Sequence, residues 1–277
     1  MSLMIAIPSY DGKIHYDTAR GLTQTALTCG KHGISFAADI RPHDAFIGKA
    51  RSIMCEMFLK RDMRDLLFVD ADIGFSVEEV IKICRVPEDV SIAIGLYRMK
   101  QDGADETKMV KYPALLNDPI ERHEKDPFLV KLRYGPAGFM LLRRPALEAM
   151  IEKWPTETWE DDKGTVHDFF PAGRLGNGFM GEDIAFCNRA LECGLDIYAV
   201  QGLKLRHYGE KRWPSEWQID IQVSDTEADS DENGAVPQER VSNGEGVRHG
   251  DEQARPLYLD SALRVGGQPS EAQHHAG

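Results

Sequence analysis

An α/β fold is predicted for most of this chain, and three observations predict it. Short apolar runs suited to buried strands alternate with segments of helical spacing from the first residues onward. The run Leu66-Leu67-Phe68-Val69 closes on Asp70-Ala71-Asp72, so a strand delivers two carboxylates at its C-terminal end, where open α/β sheets hold their ligands. From about Ile219 the composition turns to Ser, Asp, Glu, Gly, Gln and Asn, which predicts one domain over residues 1–218 and an acidic, disordered tail over 219–277.

Size and charge bound the alternatives. The 277 residues, 42% of them hydrophobic, are enough for a substantial core. The formal charge of -12 is uneven: about 12 acids and four arginines fall from Asp220 onward, which leaves roughly -4 for the body. Such a body lacks the strongly basic face usual for nucleic-acid binding, although a local basic groove is compatible with it. The five cysteines are scattered, without a Cys-x-x-Cys pair, and are expected to be reduced and mostly buried. The first 20 residues lack a secretory pattern, and no window approaches the ~20 apolar residues of a membrane span, so a cytoplasmic protein is expected.

In chain order, Met4 to Pro8 forms a strand, and Ser9-Tyr10-Asp11-Gly12 a binding loop at its edge. Asp17 to Cys29 is a helix stopped by Gly30 and Gly33, and Ile34 to Ile40 a second strand, which together make a βαβ beginning. Ala45 to Lys60 carries Ile47, Ala50, Ile53, Met54, Met57 and Phe58 at helical spacing, so Arg51 points toward a polar neighbourhood as a candidate phosphate contact or a solvated arginine. Next comes the acid-bearing strand. Residues two apart on a strand share a side, so Asp70 and Asp72 are placed to share one hard cation that relieves their repulsion; a solvated acidic turn is the alternative.

Ser76 and Glu79 make a capping box for a helix through Cys84, and Val90 to Leu96 is a strand expected beside the acid-bearing one if the sheet is parallel. Gln101 to Lys108 is a polar loop, and the irregular passage to Pro127 is left without an assigned structure, an excursion over the sheet being one option. Phe128 to Arg133 alternates apolar and basic residues. Gly135-Pro136-Ala137-Gly138 then breaks the pattern before a strand from Phe139 and a helix from Pro145 to Trp154. Trp159 to Gly178 is expected to be a long loop acting as a lid. Glu182-Asp183 opens a helix that ends at Gly194; acids there serve either chemistry or the helix dipole. A strand from Asp196 to Val200 precedes Lys204 to Gly209, where a lone His207 is either structural or a ligand.

The ordered set of LLFVDADIGF, the strand ending in Gly95-Leu96-Tyr97, GPAGFMLLRR, GEDIAFCNRALECGLDIYAV and Arg206-His207-Tyr208-Gly209 resembles the GT-A fold glycosyltransferases, in particular family 2-like members, over about residues 4–213. The resemblance implies a Rossmann-like, mixed and mainly parallel central sheet with helices on both faces. It implies transfer of a sugar from a nucleotide-diphosphate sugar, UDP-sugar above all, to an acceptor hydroxyl with inversion. Asp70 and Asp72 would serve the ribose and a Mn2+ or Mg2+, with His207 as a further metal ligand; imidazole suits manganese. Asp183 would be the base and Glu182 its positioning partner, or the reverse. Pro8, Ser9, Tyr10, Asp39, Arg51 and Ala71 would lie on the nucleotide side, and Gly138 along the sugar and acceptor. The acceptor stays open among a glycan, a small molecule and a modified DNA base. A haloacid-dehalogenase-like phosphatase also ends a strand on Asp-x-Asp, but at its first strand, and a non-catalytic nucleotide- or glycan-binding module is the other alternative.

Overall fold

The computed structural model describes residues 2–100, 112–162, 164–175, 178–209 and 212–217, all within the first of two units, Met1–Gln222; the predicted tail and the polar loop at 101–108 lie outside them. The chain opens with β1 (Ser2–Ser9), α1 (Tyr16–Lys31), β2 (Ser35–Pro42), α2 (Ile47–Leu59), β3 (Asp65–Val69), β4 (Ile73–Gly74), α3 (Val77–Cys84) and β5 (Ile92–Ile94). There follow β6 (Leu115–Leu116), β7 (Arg122–His123), β8 (Asp126–Tyr134), β9 (Phe139–Arg143) and α4 (Arg144–Lys153). The remaining elements are β10 (Thr158–Asp161), β11 (Gly164–His167), β12 (Gly173–Leu175), β13 (Gly178–Met180), α5 (Glu182–Glu192), β14 (Ile197–Val200), β15 (Lys204–Tyr208) and β16 (Arg212–Glu216).

The central sheet runs β2-β1-β3-β9-β5-β14-β8-β6, with β7 also on β8. Strands β2, β1, β3, β5 and β14 share one direction, while β9 and β8 run against it, so the sheet is mixed and mainly parallel. The expected neighbour of the acid-bearing strand is therefore corrected. β9 lies between β3 and β5 and pairs antiparallel with both, running in the same sense as β8, from which a short connection at residues 135–138 leads into it. The region from Trp159 to Gly178 is also not one long loop, since the hairpins β10–β11 and β12–β13 occupy it.

Strand periodicity sorts the core. Met4, Ala6, Leu66, Phe68, Met140 and Leu142 face α2, α4 and α5, which contribute Met54, Phe58, Leu147 and Phe186. Leu3, Ile5, Leu67, Val69, Phe139 and Leu141 face the other side, where α3 contributes Val80 and Ile83. Both faces are therefore covered by helices, and β3 is wholly buried along its length. At its N-terminal end Asp65 accepts a hydrogen bond from Arg143 Nε (3.2 Å), whose Nη atoms donate to the carbonyls of Val86 and Val90. The capping box at Ser76 and Glu79 starts α3, and Gly194, at φ 74°, turns the chain out of α5.

Candidate active site

The periodicity that buries Leu66 and Phe68 aims Asp70 at the face covered by α2 and α5. There Arg51, 2% exposed, reaches up from the interior of α2 and spans two carboxylates. Its Nη2 donates to Asp70 Oδ1 (2.6 Å) and its Nη1 to Glu182 Oε1 (2.5 Å). Burial works against the guanidinium charge, but Asp70 and Glu182 outweigh it and hold the group firmly protonated. Arg51, expected as a candidate phosphate contact or a solvated arginine, is buried, with each Nη engaged by a carboxylate. Gly138, expected along the sugar and acceptor, packs closely against Asp70. It is buried beneath Asp70, whose N–H donates to the Gly138 carbonyl (2.9 Å), and a Cβ at 138 would overlap Tyr97 Oη and lie 2.5 Å from Asp70 Oδ2. The Tyr97 phenol is buried in the same cluster, and desolvation with the Asp70 charge pushes its pKa well up.

Asp72 faces a different set of partners. The two-residue β4 pairs antiparallel with β15, placing His207 opposite Ile73, and Tyr208 N–H donates to the Asp72 carbonyl (2.9 Å). His207 Nδ1 sits 2.8 Å from the Arg98 carbonyl, which fixes its proton on that nitrogen and leaves Nε2 with a lone pair, 3.8 Å from Asp72 Oδ1. Burial lowers the His207 pKa, against the opposing pull of the Arg98 carbonyl and Asp72, and favours neutral imidazole. The other Asp72 oxygen accepts from Lys100 Nζ. On both flanks of His207 the strand is tied to buried Asp17: Arg206 Nε (2.5 Å) and Tyr208 Oη (2.8 Å) both donate to Asp17 Oδ2.

A neutral imidazole oriented by a carbonyl, with a carboxylate across from its free nitrogen, is a donor set that suits a divalent transition metal. Asp70, also expected as a ligand, accepts from Arg51 at Oδ1, and no group of three His, Cys, Asp or Glu suited to a metal occurs among the described residues. Asp72 and His207 can therefore hold an ion only with ligands supplied by a bound molecule or solvent.

Two clefts meet here. The larger, of about 650 Å³, is lined by Pro8, Tyr10, His15, Asp70, Ala71 and Asp72, together with Lys100. The smaller, of about 500 Å³, is lined by Phe46, Trp159, Phe170, Phe179, Asp168 and Glu182. Ile47 lines both, at the start of α2, and Arg51 one turn further on links Asp70 of one to Glu182 of the other. Two expected nucleotide-side residues lie outside these walls. Ser9 is buried and its hydroxyl donates to the Lys13 carbonyl (2.7 Å), which shapes the loop. Asp39 sits on edge strand β2 opposite Ala6, two residues short of the level of Pro8. Asp183 follows Glu182 in the first turn of α5, and desolvation, with Glu182 adding to it, raises its pKa.

Lys100 and His15 join the site without a sequence signal strong enough to name them, and Tyr97, named only as a strand end, joins it as well. Tyr97 was within reach, as the residue closing the β5 region. His15 was not, since only the fold stacks its ring on Tyr208, with centroids 3.7 Å apart.

No family model matches the chain, and no curated protein matches it. Among solved structures, a glycosyltransferase involved in the glycosylation of the major capsid of PBCV-1 aligns at 11% identity and a TM-score of 0.31, over 57% of this chain and 68% of that one. A mutant Drosophila galactosyltransferase 7 in complex with manganese, UDP-Gal and xylobiose aligns at 12% identity and 0.39, over 79% and 77%. A 4-diphosphocytidyl-2C-methyl-D-erythritol synthase from Anaerococcus prevotii aligns at 13% and 0.30, over 69% and 99%. Similarity of this degree leaves the site to be understood from its own side chains.

Proposed function

We propose that this chain is a glycosyltransferase that binds a nucleotide-diphosphate sugar, such as a UDP-sugar, in the larger cleft and an acceptor hydroxyl in the smaller one. The observation that carries this reading is the meeting of two clefts at one ion-paired cluster, with the Asp72–His207 pair on one side and the Glu182–Asp183 turn on the other. A transferase of this kind needs two substrates to approach each other with water held away.

Pro8, Tyr10 and Ala71 form the wall for the nucleoside, and Asp70, held still by Arg51, accepts a hydrogen bond from a ribose hydroxyl. Asp72 and His207 Nε2 are the residues that would hold Mn2+ or Mg2+, which when bound stabilises negative charge on the departing diphosphate. The acceptor oxygen forms a bond to the anomeric carbon as the bond from that carbon to the diphosphate oxygen breaks. The electron pair leaves with the nucleoside diphosphate and the hydroxyl proton passes to a carboxylate. Attack opposite the leaving group inverts the anomeric centre. Asp183 is the better base, because desolvation raises its pKa, while a Glu182 carboxylate oxygen is taken up by Arg51. Glu182 is the positioning partner.

Thermal unfolding with a panel of nucleotide sugars, with and without manganese, tests this. A UDP-sugar at about 100 times its Kd should stabilise by about 2.7 kcal/mol. That gain should need manganese and vanish in Asp72→Ala. No stabilisation by any nucleotide sugar refutes the reading, and binding without hydrolysis or transfer would mark a non-catalytic module.

A further inference from the structure

The smaller cleft has its own chemistry. Phe46, the residue before α2, is 74% exposed, and Phe179, on the β12–β13 hairpin, is 77% exposed. Both line the cleft with Trp159 and Pro171, so aromatic surface is presented to solvent instead of being packed away. Gly48 keeps the first turn of α2 against this wall, since a Cβ there would overlap the Phe170 carbonyl oxygen and lie 3.2 Å from Glu182 Cβ. The polar lining is mostly acidic, Glu182 and Asp168. Lys49, its one base, lies 3.8 Å from Asp44, which offsets its charge. Glu182 is in turn paired with Arg51, so among the described lining residues a phosphodiester would find no unpaired cation and would lose the contacts that dominate nucleic-acid binding.

Aromatic platforms beside carboxylates suit a molecule with polarised C–H faces and many hydroxyls. The rings' negative faces attract those C–H groups, and the carboxylates accept from the hydroxyls. We propose that the acceptor is a neutral sugar, the terminal pyranose of a glycan or glycoside, stacked on Phe46 and Phe179 with a hydroxyl directed to Glu182. This rests on the transferase reading above and adds the acceptor class to it. The volume of about 500 Å³ falls within the ~300–1,000 Å³ range of small-molecule sites.

The full-length protein should be applied to an array carrying neutral glycans, sialylated and sulfated glycans, and single-stranded oligonucleotides. Binding confined to neutral glycans, and weakened about tenfold in Phe179→Ala and in Phe46→Ala, is the expected result. Preference for acidic glycans or oligonucleotides, no binding to any neutral glycan, or undiminished binding in the Phe46→Ala/Phe179→Ala double variant overturns the proposal. The manganese-dependent UDP-sugar stabilisation, measured on the same variants, separates the two ideas. If it persists while neutral glycans fail to bind, only the acceptor class is wrong. If it is absent from the unaltered protein, the transferase reading itself fails.

Discussion

Arg51 permits the sharpest test, because charge and shape can be varied separately. Its guanidinium is 2% exposed and holds Asp70 and Glu182 on different nitrogens, so a lysine keeps the charge but cannot span both carboxylates. Arg51→Lys should lose one charge-assisted hydrogen bond, about 1.5–3 kcal/mol. Arg51→Met strips both carboxylates of their cation. Removing one member of a buried pair costs about 3–5 kcal/mol. Water reaches Asp70 and Glu182 in part, their side chains being 25% and 21% exposed, so the lower end applies. For a domain of this size, about 3 kcal/mol lowers Tm by about 6–12 °C. Urea denaturation and calorimetry would measure both variants, together with Arg51→Met/Asp70→Asn/Glu182→Gln, which removes the uncompensated charge and should regain part of the loss. Equal costs for lysine and methionine would show that the fork geometry is irrelevant. A methionine variant of unchanged stability but weak nucleotide binding would return Arg51 to the role of a phosphate contact.

Three further outcomes follow from the same coordinates. Asp183→Asn should retain UDP-sugar binding and lower kcat by about 10²–10⁴-fold; in the unaltered protein the acid limb of the kcat profile should lie above the ordinary carboxylate range, because desolvation and Glu182 raise that pKa. A wild-type kcat in Asp183→Asn would reassign the base to Glu182. Gly138→Ala forces a methyl group onto Tyr97 Oη and Asp70, and overpacking of this kind costs about 1–3 kcal/mol by denaturant titration; a neutral effect would mean that Asp70 is free to move. Asp17→Asn should cost about 1.5–3 kcal/mol near neutral pH. Burial of Asp17 opposes ionisation, but the hydrogen bonds from Tyr208 and Arg206 win and lower its pKa. Its contribution is therefore complete above the unfolded carboxylate value and fades as pH falls through the lowered one, so the gap between the two proteins should close in acid and stay constant if Asp17 is inert.

What was legible in the sequence follows the range of the interaction. The unbroken apolar run from Leu66 to Val69 is local, and it correctly placed a buried strand with Asp70 at its end. The capping box at Ser76 and the proline near the start of α4 are local as well. Strand order is not, so nothing near Phe139 announced that β9 would run against β3 and separate it from β5. The polar neighbourhood expected for Arg51 was real, but its partner Glu182 lies 131 residues away, and proximity on a helix cannot reveal such a pairing. The hairpins between Trp159 and Met180 were hidden by short strands of mixed polarity, whose register comes from pairing more than from any apolar pattern.

The pairing of β4 with β15 has a consequence for how the protein is made. Asp72 emerges from the ribosome early, whereas His207 and the Tyr208 amide that fix its surroundings emerge much later. Until β15 docks, the larger cleft lacks one wall, although the nascent chain already carries the whole acid-bearing strand. Under the proposed function, donor affinity is acquired in a single late step, and capture on a nucleotide resin would distinguish completed molecules from stalled ones.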